Sequence, residues 1–188
     1  MNLEATPLSG AAVLTPKRFG DDRGWFSEVW NQQTLTGLGI ETQFVQDNHS
    51  FSAPKGTLRG LHYQSPPNAQ AKLVRCTAGS VWDVAVDIRT GSETFGAWHG
   101  VELSAENGCQ FLIPEGFLHG FVTLTDNAEV QYKCSDFYAP ESDGAVRWDS
   151  AGLAIDWPLD GAPLLSPKDA EAPDFGAWTT PFLSLIHI

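Results

Sequence analysis

Apolar and polar residues take turns along most of this chain, a period of two that suits half-buried strands and argues against long amphipathic helices. "GAAVLTPKRF" (10–19), "GWFSEVW" (24–30) and "TQFVQDNHSFS" (42–52) read as short strands. "AKLVRCTAGSVWDVAVDIR" (71–89) reads as a β-hairpin turning at Ala78-Gly79-Ser80. Residues 96–140 supply four more strands, with turns near Glu106, Gly116 and Asn127. Helical turns are expected only in "NQQTLTGLG" (31–39) and around "SPKDAEAPDFG" (166–176). Short strands at roughly 8- to 12-residue spacing predict an all-β sandwich or jelly roll.

With 188 residues, the chain suffices for one well-buried core but hardly for a second full domain. The expected domain covers 1–178. Residues 179–188 are apolar and unpatterned, and no function is assigned to them or to His187. No apolar run reaches membrane-spanning length, and the N-terminus shows no basic-then-apolar signal, so a cytoplasmic protein is expected. Cys76, Cys109 and Cys134 then read as buried, reduced thiols. A net charge of −12 argues against nucleic acid and anionic membrane surfaces as partners. It leaves room for a small anionic ligand, because a few of the 11 Lys and Arg converging on one pocket reverse the local potential.

The run "GCQFLIPEGFLHGFVT" carries Gly108, Pro114, Gly116 and His119 at spacings that resemble the second conserved motif of the cupin superfamily, with Thr123 where asparagine is common. Such a motif is a strand, a Pro-x-Gly turn and a second strand that aims His119 into a barrel. The first cupin motif has His-x-His, then a glutamate, then a glycine after six residues. Counting back from Gly79, Lys72 stands in the glutamate's place, and His62-x-Gln64 in "LRGLHYQ" (58–64) stands for His-x-His, in a loop-like setting. An ammonium at a ligand position repels a divalent cation, so a metal-free pocket is expected. Lys72 would then stabilise a developing oxyanion, and His62, with a natural pKa near neutrality, is a candidate general base.

Taken in order, "FGDDRGWFSEVWN", "FVQDNHSFSAPKGTLRGLHYQ", "KLVRCTAGSVWDVAVDIR", "FLIPEGFLHGFVTL", "AEVQYKCSDFYAPESDGAVRWD" and "LSPKDAEAP" resemble the dTDP-4-dehydrorhamnose 3,5-epimerase family of cupins. The resemblance implies a cupin jelly roll that needs no metal or cofactor and inverts C3 and C5 of a dTDP-4-keto-6-deoxy sugar. It makes His62 the base, Asp169 the carboxylate that orients it, Tyr132 the proton donor from the opposite face, and Lys72 the cation at the keto oxygen. Substrate contacts follow at Arg23, Glu28, Gln46, Asp47, Asn48, Arg59, His119 and Lys168, with Tyr138 stacking on thymine and Asp143 where many relatives have glutamate. The resemblance also implies a homodimer in which an N-terminal strand crosses to the neighbour, bringing Arg23 or Glu28 to the partner's pocket. Lys17, Arg18, Lys55, Arg75, Arg89, Lys133 and Arg147 read as solvated or structurally paired. The rival readings are a 3-only or 5-only epimerase, a metal-dependent cupin oxygenase or isomerase, and a non-catalytic sugar-nucleotide binding module.

Overall fold

The computed structural model describes residues 1–182 of the chain. Two antiparallel sheets dominate. The six-stranded sheet runs β1-β2-β10-β7-β12-β5, from Asn2–Ala5, Ala12–Thr15, Gln110–Ile113, Lys72–Ala78, Ala128–Cys134 and Gln46–Ser52 respectively. The five-stranded sheet runs β13-β6-β11-β8-β9, from Asp143–Ala145, Leu58–Gln64, Phe117–Thr123, Ser80–Asp87 and Trp98–Ser104. A separate ribbon pairs β3, Arg18–Asp21, with β4, Gly24–Ser27. The mostly-β class expected from the period of two is the class found.

Alternation decides what each face meets. Val74, Cys76, Phe111, Ile113 and Val130 point from the six-stranded sheet into the space between the sheets, where Val81, Ala85, Phe117 and Phe121 meet them. The outer face of that sheet is closed by helix α1, Gln32–Gly37, whose Leu35 packs on Leu14, Leu73 and Leu112. Asn31 caps α1 by accepting from the Gln33 and Thr34 N–H groups. On the far side, Leu61, Val84, Val86 and Leu118 pack against Val146 and a set of tryptophans that includes Trp82, Trp157 and Trp178. With both of its faces covered, β11 is buried at every position. Phe111 is wholly buried, and truncating such a side chain to alanine costs about 3–5 kcal/mol.

Three local expectations need correction. Residues 71–89 are not a hairpin: β7 and β8 belong to different sheets, and Ala78-Gly79-Ser80 is the corner where the chain crosses between them. The corner needs glycine, since Gly79 has φ +68° and a Cβ there would sit 2.2 Å from Thr125 Oγ1. "LRGLHYQ" is not a loop but strand β6, held between β11 and β13. Cys76 and Cys134 are buried thiols as expected, whereas Cys109 is only half-buried because it precedes β10 rather than lying within it.

"GAAVLTPKRF" also divides into β2 and β3, because Pro16 between them cannot donate to a ladder. Near the end of the described chain, Phe182 is buried beneath Trp178 and Tyr63, and its carbonyl accepts from the Thr90 N–H. His187 lies outside the described residues. No described helix is long and apolar enough to cross a membrane.

Candidate active site

Strand β6 enters the site alongside a segment from the far end of the chain. The Leu58 N–H donates to the Leu164 carbonyl at 3.0 Å, and Thr57 bridges Leu164 in parallel. That register delivers helix α2, Pro167–Ala170, to the side of β6, with Ser166 capping it by accepting from the Asp169 N–H at 3.1 Å. Asp169 is thereby buried next to His62, a residue 107 positions earlier, and the contact from His62 Nε2 to Asp169 Oδ1 is 2.5 Å. Burial pushes the Asp169 carboxyl up, but its bonds to His62 and Ser166 outweigh that and hold it below the usual carboxylate value. With Nε2–H donating to Asp169, Nδ1 is the nitrogen left to take a proton.

The opposing sheet supplies the complement. Tyr132 on β12 and Lys72 at the start of β7 face inward, with the Lys72 Nζ 5.8 Å from the Tyr132 ring centroid. Burial pushes the Tyr132 phenol up and pulls the Lys72 ammonium down, although Lys72 keeps part of its surface open to the cleft. His119 on β11 pairs across the ladder with His62 and lies 6.5 Å, centroid to centroid, from the Tyr132 ring. Its Nε2 is held by both oxygens of Asp83, at 3.1 and 2.9 Å, and burial lowers its pKa despite that charge.

These groups line one continuous cleft. A lobe of about 450 Å3 is bounded by Ser50, Arg59, His62, Lys72, His119, Tyr132, Lys168 and Asp169. It joins a lobe of about 520 Å3 bounded by Gln46, Asn48, His62, Lys72, Tyr132, Tyr138, Asp143 and Lys168. Arg59 is steadied by Ser52 Oγ at 3.1 Å and the Phe51 carbonyl at 3.0 Å, and Lys168 pairs with Asp143. Among the described residues no group of three His, Cys, Asp or Glu side chains could hold a metal ion. Gln64, at the second cupin ligand position, is buried with its amide fully engaged: it donates to the Asn68 and Phe137 carbonyls and accepts from the Ala139 N–H.

A sequence model described as dTDP-4-dehydrorhamnose 3,5-epimerase matches residues 5–177. The chain belongs to the dTDP-4-dehydrorhamnose 3,5-epimerase family. The Pseudomonas aeruginosa enzyme of that name is 56% identical over 176 residues, covering 92% of this chain and 96% of its own. The Legionella pneumophila epimerase, solved in complex with dTDP-4-keto-L-rhamnose, superposes with a TM-score of 0.90 at 50% identity, covering 94% of this chain and 93% of its own. A 3'-monoepimerase from Streptomyces bikiniensis, solved in complex with dTDP-quinovose, is similar at TM-score 0.84 and 37% identity, covering 92% of this chain and 88% of its own.

Within this epimerase, three expected site residues stand apart from the cleft. Arg23 is almost fully exposed on the β3–β4 ribbon and pairs with Asp21 at 2.5 Å. Glu28, just after that ribbon, accepts from Asn31. Asp47 points to the opposite side of β5 from Gln46 and Asn48, because strand neighbours face opposite ways, and it pairs there with Lys133 at 2.9 Å. The basic residues read as structural behave so: Arg18 binds backbone carbonyls, and Lys55, Arg89 and Arg147 have carboxylate partners.

The sequence reading missed Asp83, Ser50 and the α2 cap Ser166. Asp83 left a signal, since an aspartate inside the apolar run "VWDVAVD" must find a partner once buried.

Proposed function

We propose that this epimerase converts dTDP-4-dehydro-6-deoxy-D-glucose to dTDP-4-dehydro-L-rhamnose by removing and returning protons at C3 and C5. One observation carries the reading: His62 and Tyr132 stand on strands of two facing sheets and border the same cleft, with Lys72 beside Tyr132. Both carbons lie α to the C4 ketone, and inversion requires a base on one ring face and an acid on the other. His62 takes the α-proton through Nδ1 while Asp169 stabilises the imidazolium that forms. The C–H electron pair forms the C=C bond to C4 as the C=O π pair moves onto the C4 oxygen, where the Lys72 ammonium stabilises the enolate. Tyr132 then returns a proton to the carbon from the opposite side. Arg59 and Lys168 hold the diphosphate and neighbouring groups, His119 contacts the sugar, and Tyr138 stacks on thymine.

The same reading makes the protein a cytoplasmic homodimer. The exposed ribbon residues Phe19, Trp25 and Phe26 support an intersubunit role for β3 and β4, which would carry Arg23 and Glu28 to a neighbouring cleft. A metal-dependent alternative is disfavoured by the amide of Gln64 and the ammonium of Lys72 at ligand positions.

The test is a pair of variants. His62→Asn and Tyr132→Phe should each lower kcat by ~10²- to 10⁴-fold, the range a positioned proton-transfer group supplies, while dTDP affinity by calorimetry stays near wild type. Wild-type turnover in His62→Asn would remove it from the base role.

A further inference from the structure

The cleft contains a chain of amide contacts that the proton-transfer scheme leaves unused. Tyr138 donates its backbone N–H to Gln46 Oε1 at 2.9 Å. Gln46 in turn donates from Nε2 to Asn48 Oδ1 at 3.2 Å, and Asn48 Nδ2 contacts Cys134 Sγ at 3.6 Å. Asn48 is the residue directly opposite Tyr132 in the β5–β12 ladder, and its amide favours the charged form of the phenol. From the other side, Gln64 grips both neighbours of Tyr138, through the Phe137 carbonyl and the Ala139 N–H. The loop carrying Tyr138 is thus tied to the strand of His62 by one glutamine and to the side chain opposite Tyr132 by another.

We infer that Asn48, anchored through Gln46 to the Tyr138 loop, is the positioning residue that aims the Tyr132 hydroxyl, so that occupancy of the Tyr138 loop by the nucleotide is transmitted to the proton donor. This rests on the reading of Tyr132 as that donor. The physical reason is that a phenol turns freely about its C–O bond and its ring tilts unless a fixed dipole restrains it. When Tyr132 gives up its proton, the electron pair stays on its oxygen, and Asn48, paired with Tyr132 across the ladder and bordering the same lobe, carries the neutral N–H donor that would stabilise the phenolate. Gln46 prevents the Asn48 amide from turning over, because its Nε2–H requires the Asn48 oxygen on its own side. The expected substrate contacts of Gln46 and Asn48 do not by themselves require this link between the two side chains.

Proton removal and inversion can be read separately. In D2O with the dTDP-4-keto-6-deoxy sugar, deuterium in recovered substrate reports removal by His62 followed by return to the same face. Deuterium in inverted product reports delivery from the Tyr132 side. Asn48→Ala should raise the ratio of exchange to inversion by ~10-fold, about what losing one aligned hydrogen bond to a developing charge gives, whatever it does to the Kd for dTDP. Gln46→Glu keeps the acceptor for the Tyr138 N–H but cannot donate to Asn48, and it should raise the ratio in the same direction. It carries the test if Asn48→Ala does not fold. A wild-type ratio in the folded variants, or a weakened dTDP Kd with an unchanged ratio, overturns the inference and leaves Gln46 and Asn48 as substrate contacts. Tyr132→Phe run alongside separates the two claims. If it still inverts at the wild-type rate, the donor reading fails; if inversion stops while Asn48→Ala keeps the wild-type ratio, only the positioning role fails.

Discussion

At the scale of single residues, the site works by placing titrating groups where burial and partners pull in opposite directions. Asp169 is nearly inaccessible, yet its bonds to His62 and Ser166 hold its pKa below the unfolded value. A carboxyl depressed in the folded state contributes stability that is present above its unfolded pKa, near 4, and is lost as pH falls through the lower folded pKa. Wild-type protein should therefore lose more stability than Asp169→Asn between about pH 5 and pH 2, by denaturant titration at each pH. Lys72 shows the reverse strain. Burial lowers its pKa, so its ammonium form disfavours folding at neutral pH, and removing it should help the fold while stopping the reaction. Lys72→Met is expected to raise stability by about 1 kcal/mol, discounted for the part of the side chain that stays wet, and to lower kcat by ~10²-fold or more.

At the scale of elements, what the sequence disclosed and what it hid have one cause. Periodicity located β5 and β9 to β12, since alternation along a strand is a local property. It could not tell that β7 and β8 separate into different sheets, because a hairpin turn and a sheet-crossing corner both ask for glycine at a positive φ. The reading of β6 as a loop failed for a related reason. Two glycines and prolines near "LRGLHYQ" suggest turns, but Gly60 is there for close approach: a Cβ would sit 2.7 Å from both Gly120 Cα and the His119 carbonyl oxygen on β11.

The candidate site residues came from motif spacing and family resemblance, which act over long separations that alternation does not report. Asp47 faces away from Gln46 and Asn48 because strand parity, which the motif "VQDN" does not report, sets the side on which each side chain lies. Gln64, standing where the cupin motif has its second histidine, has an element-level role. Its amide ties the loop after β6 to the loop carrying Tyr138. Gln64→Ala strands those backbone groups and should cost about 1–3 kcal/mol, a fall of roughly 2–12 °C in Tm by calorimetry, with weaker dTDP binding as the loop loosens.

At the scale of the whole molecule, a chain of net charge −12 gathers Arg59, Lys72 and Lys168 around one cleft, so the site can receive a diphosphate that the rest of the surface repels. Two facing sheets give that cleft two chemically different walls, with the His62–Asp169 pair on one and Tyr132 with Lys72 on the other. A base and an acid fixed on opposite walls can act on either α-carbon of a ring held between them. The most direct test is to incubate the protein with dTDP-4-keto-6-deoxyglucose in D2O and locate the label by NMR. Deuterium should appear at both C3 and C5 of an inverted product; exchange at neither carbon, or at only one, would rule out a base and acid acting on both.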